Sequence, residues 1–141
     1  MTAKQYLRQL RKLERNILIL TEEIEQRRSS LTSTSAPIAG DKVQTSPGGD
    51  RFADLIAALA DIELQQETLI GIYHSMRAEM VSQILSLDND MQVTVLRSRY
   101  LLGKPLRIVA QETHYSYERI CHIHGEALAA FTKKYPGISQ L

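Results

Sequence analysis

Apolar residues in the first part of the chain step by fours and threes, through Tyr6, Leu10, Leu13, Ile17, Leu20, Ile24 and Leu31, with Arg27 interrupting the last repeat. A spacing of this kind is the seam of a helix that lies against another helix, and it predicts an element of roughly 45 Å. Glu23 and Arg27 stand four apart, in the favourable order for an ion pair on its surface. A second seam runs through Phe52, Leu55, Leu59, Ile62, Gln66, Leu69, Tyr73, Met76, Met80 and Leu87, with Gln83 as a polar step and Asp50 placed to cap its start. It predicts a helix of roughly 55 Å. Gln66 and Gln83 either set register at some cost in stability or tolerate a wet edge. Gly71 costs about 1 kcal/mol relative to Ala and marks a close contact, a bend or nothing. Thr32 to Gly49 is rich in Ser, Thr, Gly and Pro, and reads as a flexible loop that permits a folded-back hairpin or a swapped dimer. Exposed apolar stripes of this length need a partner, so an antiparallel hairpin that forms a homodimer through its coiled coil is the expected arrangement.

The pattern shortens towards the C-terminus. Met91, Val95, Leu96, Tyr100, Leu101 and Leu102 predict an amphipathic helix from about Asp90 to Leu102, ended by Gly103. Pro105 suits the first turn of a new helix, whose buried face is Leu106, Val109 and Ala110 and which runs to about Glu112. Thr113 to Tyr115 form a turn. Ser116 is a good N-cap, although Arg119 stands where a capping box would place Glu or Gln. The stripe Ile120, Ile123, Ala127, Leu128 and Phe131 then carries a helix from Tyr117 to about Lys134, before Tyr135-Pro136-Gly137 stops it. The expected fold is all-α: a helical hairpin over 1–87 with a flexible loop at 32–50, a helix-turn-helix over 88–134 and a tail at 135–141.

With that stripe turned inward, Tyr117, Glu118, Cys121, His122 and Gly125 face out and Arg119 flanks them. In a helix-turn-helix this N-terminal end enters the major groove, where Arg bonds guanine edges, Glu accepts from cytosine, and Tyr, His and Ser reach phosphates or bases. The candidate DNA contacts are therefore Ser116, Tyr117, Glu118, Arg119, Cys121 and His122, with Lys104 and Arg107 on phosphate and Arg97 and Arg99 nearby. A plain helical bundle with a solvated polar face accounts for the same periodicity.

Composition narrows the choices. With 141 residues, 43% of them hydrophobic, the chain can bury the core of one or two small domains. A formal net charge of +1 argues against a chain-wide electrostatic grip on nucleic acid. Locally, however, residues 1–31 are basic and residues 51–87 acidic. Cys121 is the single cysteine, which excludes an intramolecular disulfide and points to a reducing, cytoplasmic setting. No apolar run approaches a membrane span. His122 and His124 near Cys121 and His114 invite a zinc reading, but residues two apart on a helix point apart, so neither a metal nor another cofactor is expected. DKVQTSPGGD lacks the Lys-Ser/Thr of a phosphate loop, no catalytic triad or carboxylate pair is supported, and no enzymatic activity is expected.

The order of residues in LRSRYLLGKPLRIVAQETHYSYERICHIHGEALAAF resembles sigma-70 region 4 and the phage proteins that share it, over about Leu87 to Phe131. The pattern runs from an R-x-RY-hydrophobic segment with its Gly, through a hydrophobic-Ala pair, to a helix opening Tyr-Ser. Upstream, DKVQTSPGGDRFADL after a charged helix resembles small prophage proteins related to the ArpU and RinA type late-gene regulators. The chain departs from the pattern at His114, where the turn usually has Gly, and at Arg107 and Ile108, where the first motif helix usually carries two acids. The resemblance implies a phage or prophage regulator of transcription that binds double-stranded DNA, with RNA polymerase as a further candidate partner. Two other readings stand beside it. A packaging adaptor of the small-terminase kind also joins DNA-binding helices to an oligomerising coiled coil, although it usually places the DNA motif first. A module that binds RNA polymerase or another protein without touching DNA fits the near-neutral charge.

Overall fold

In the computed structural model, residues 1–34 and 48–140 are described, and every regular element among them is helical. The expected loop at 32–50 falls largely outside these residues, as do the capping side chain of Asp50 and, in the tail, Leu141. Helix α1 spans Ala3–Thr34, α2 Gly48–Leu85, α3 Asp90–Leu96, α4 Leu106–Thr113 and α5 Tyr117–Lys134. A reciprocal capping box starts α1: the Thr2 hydroxyl accepts from the Gln5 amide at 3.2 Å while the Gln5 side chain accepts from the Thr2 amide at 2.8 Å.

The chain divides into two compact units. One comprises Arg15–Gly71, and the other joins Met1–Glu14 to Ile72–Leu141. This division does not coincide with the boundary expected at residue 87. The reason is shared burial: Ala3, Tyr6, Leu7 and Leu10 form one core with Met80, Ile84, Leu87, Leu96, Tyr100, Leu101, Ala127, Phe131 and Ile138. The first turns of α1 therefore belong to the same body as the C-terminal helices.

Within the unit Arg15–Gly71, α1 and α2 run antiparallel, since Gln66 donates to the Thr21 hydroxyl at 2.8 Å and Arg28 pairs with Glu63 at 2.6 Å. Gln66 thus makes a specific cross-helix bond, and Glu23 and Arg27 form the expected pair at 3.1 Å. Seam residues Leu20, Ile24, Ile62 and Leu69 face inward, but only Ile24 is fully buried, whereas Leu18, Ile19, Phe52, Leu55, Ile56 and Leu64 are exposed. Phe52 and Leu55 depart from the expected seam: α2 is apolar on more than one side here, and two helices cannot cover all of it.

In the other unit the Tyr6 hydroxyl donates to Gln83 at 2.9 Å, so the second polar seam position is also paired. A hydrogen bond from the Arg11 guanidinium to the Leu101 carbonyl, at 2.8 Å, ties α1 to the end of the α3 segment. Arg11 lies against Gly103, whose φ of 70° belongs to the left-handed region, and any Cβ there would collide with the guanidinium. At the other end, the Ser86 hydroxyl bonds the Tyr135 hydroxyl at 2.6 Å and Lys134 donates to the Ser86 carbonyl.

Asn89 caps α3, accepting from the amides of Met91 and Gln92 at 3.0 and 3.1 Å. The helix expected from 90 to 102 is not uniform. After Leu96 it widens into a π-helical turn, Arg97–Leu101, closed by a bond from the Leu102 amide to the Arg97 carbonyl at 3.1 Å. The extra residue in that turn keeps Tyr100 and Leu101 on the buried side and leaves Leu102 58% exposed, contrary to its expected place on the apolar face. Pro105 is the N-cap of α4 in extended backbone, not a residue of its first turn. The α4–α5 connection is a Schellman-type stop. The Tyr115 amide reaches the Ala110 carbonyl at 3.1 Å, and His114 takes the left-handed conformation usually given to Gly, at φ 60°.

Candidate nucleic-acid interface

Two cores hold α5. Its first half contributes Ile120 and Ile123 to a small cluster with Val95 of α3 and Val109 and Ala110 of α4, while its second half contributes Ala127 and Phe131 to the larger core shared with α1 and α2. Fixing one stripe along the whole helix leaves the opposite face free. Ser116 caps this helix as expected, its hydroxyl accepting from the Arg119 amide at 3.2 Å. Ser116, Tyr117, Glu118, Arg119 and His122 are all exposed, and Cys121 is half-buried.

The candidate side chains differ in how free they are. Tyr117 and Cys121 stand one turn apart, and the neighbouring thiol raises the phenol above its ordinary value, against the opposing pull of the Arg107 charge. His122 lies 2.9 Å from Glu126, an ion pair when the imidazole is protonated. Lys104 is engaged with both oxygens of Glu112, at 3.0 and 2.9 Å, so its charge is partly spent inside the motif. Arg107 and Arg119 are exposed and, among the described residues, in no ion pair. An open cleft lined by Arg99, Pro105, Leu106, Arg107 and Tyr117 lies beside the start of α5. The structure thus brings Arg107 and Tyr117 together with Arg99 and sets Lys104 against an acid. Among the described residues no cluster of His, Cys, Asp and Glu is arranged to hold a metal ion.

One participant was not legible in the sequence. His124 is half-buried, its Nε2 lies 2.9 Å from the Tyr100 hydroxyl, and the two rings stack with centroids 5.8 Å apart. Burial lowers its pKa below the ordinary 6.5, and the charges of Lys4, Arg99 and Arg8 lower it further. A histidine held neutral by the fold binds fewer protons than the unfolded chain below about pH 6.5, so its contribution to stability is present above that pH and is lost as the pH falls towards the folded value. Melting at about pH 7.5 and about pH 5.5 should therefore show the advantage of the wild type over His124→Gln shrinking on acidification. An advantage that stays constant or grows would contradict this assignment.

No protein-family model, curated protein or solved structure matches this chain. Among the described residues, no helix is long and apolar enough to cross a membrane.

Proposed function

We propose that the protein is a sequence-specific binder of duplex DNA, a phage or prophage transcription regulator as the resemblance to sigma-70 region 4 implies. The observation that carries this reading is the presentation of α5: its buried stripe is gripped along its length, and its N-terminal face carries Tyr117, Glu118, Arg119 and His122 into solvent beside the unpaired Arg107. A rigid helix with its N-terminal end free is what major-groove readout requires. Arg119 reads a base edge, Tyr117 and His122 reach phosphates or bases, Arg107 contacts phosphate, and Lys104, held by Glu112, contributes less than its charge suggests.

The exposed Leu18, Ile19, Ile56 and Leu64 are the surface on which a second copy packs, which makes the regulator a homodimer. Two-fold symmetry of the protein is then mirrored in a two-fold binding site.

Arg119→Ala should weaken binding to the preferred site by about 1 to 3 kcal/mol while leaving random duplex nearly untouched. Fluorescence anisotropy at one fixed salt concentration measures both. Equal losses on the two duplexes would make Arg119 a phosphate contact and overturn its role in base readout.

A further inference from the structure

Arg99 belongs to two surroundings at once. It lines the cleft with Arg107 and Tyr117, and its charge acts on His124 together with those of Lys4 and Arg8. Lys4 and Arg8 lie one turn apart in α1, both exposed, and α1 is fixed here by the burial of Ala3, Leu7 and Leu10 in the core that also holds Ala127 of α5. The charges acting on the half-buried His124 are all positive. Among the described residues, none of Lys4, Arg8, Arg99 and Arg107 is in an ion pair. Lys4, Arg8 and Arg99 thus all lie within electrostatic reach of His124, and Arg99 shares the cleft at the start of α5 with Arg107. Like charges gathered in one region repel one another, and a polyanion whose charges are regularly spaced relieves that repulsion.

We propose that the N-terminal turns of α1 are part of the DNA-binding surface: Lys4 and Arg8 extend the track of Arg107 and Arg99 and grip backbone phosphates of the duplex whose groove receives α5. The proposal rests on the DNA-binding reading above and adds to it a second contact region from the opposite end of the sequence. Phosphate contacts position the protein without reading sequence, so this region strengthens binding to every duplex alike. It also gives a chain of net charge +1 the local charge that DNA binding demands.

The test is the salt dependence of binding by the full-length protein to the preferred duplex and to random duplex. Removing one cation that neutralises a phosphate makes the slope of log K against log salt shallower by about one. Lys4→Gln with Arg8→Gln should flatten the slope by about two on both duplexes and leave their affinity ratio unchanged. Lys133→Gln is the control, because Lys133 stands near the far end of α5, roughly 24 Å along its axis from Tyr117 at the end that enters the groove; its slope should match the wild type. All three substituted residues are exposed, and circular dichroism melting confirms that the variants fold. A double variant with the wild-type slope would overturn the α1 contact while leaving the DNA-binding reading intact. Wild-type protein that binds no duplex even at low salt would overturn both.

Discussion

Phe131→Ala is expected to destabilise the unit built from Met1–Glu14 and Ile72–Leu141 by about 3 to 5 kcal/mol, the cost of removing a fully buried aromatic side chain and leaving a cavity. Phe131 is 0% exposed and stands where the elements of this unit meet. Its ring lies 6.2 Å from that of Tyr6 and 5.1 Å from that of Tyr135, in the same core as Leu7, Met80, Ile84 and Leu96. Little of that void can close, because the surrounding side chains come from helices held by their own bonds: Tyr6 to Gln83, Ser86 to Tyr135 and Arg11 to Leu101. Domains have a total stability of about 5 to 15 kcal/mol, so the change removes a large part of it. Urea unfolding followed by circular dichroism gives the figure directly. A loss under about 1 kcal/mol would mean that Phe131 is not packed as described.

Leu7→Ala should cost about 2 to 5 kcal/mol, and its effect should reach residues about a hundred positions away. Leu7 is 0% exposed in the core that contains Tyr100, Leu101 and Ala127, and α1 is also bonded through Arg11 to the Leu101 carbonyl beside Gly103. Loss of this anchor therefore loosens the base on which α5 stands. Methyl resonances of Val109, Ile120 and Ile123 should unfold at the same lower urea concentration as α1 itself. Leu102→Ala, at a position 58% exposed, should change stability by no more than about 0.5 kcal/mol. A Leu7→Ala protein in which Val109, Ile120 and Ile123 keep their wild-type midpoint would show that the C-terminal helices stand without α1.

What could be read from the sequence follows from which forces are local. Ser116 as a cap, Gly103 as a stop and the stripe Ile120, Ile123, Ala127 and Phe131 are written in neighbouring residues, and the boundaries of α5 followed from them. The burial of Leu7 and Ala3 did not, because a heptad seam assumes one partner helix whereas the start of α1 packs into a core built from several elements. Leu102 was misplaced for a related reason: a π-helical turn changes the phase of the helix without a residue type that announces it. At the candidate site the exposed face of α5 was legible from periodicity. The engagement of Lys104 with Glu112, the pairing of His124 with Tyr100 and the influence of the Lys4 and Arg8 charges on His124 join residues 8, 24 and more than a hundred positions apart, which spacing along one helix cannot reveal.

Whether α5 reads DNA sequence is tested most directly by selection of binding sites from random duplex DNA. Purified protein at fixed moderate salt should enrich a motif, two-fold if the protein binds as a dimer, and a protein carrying Arg119→Ala and His122→Ala should fail to enrich it. Absence of any enriched motif from the wild-type selection would contradict the account and transfer the exposed face of α5 to a protein partner.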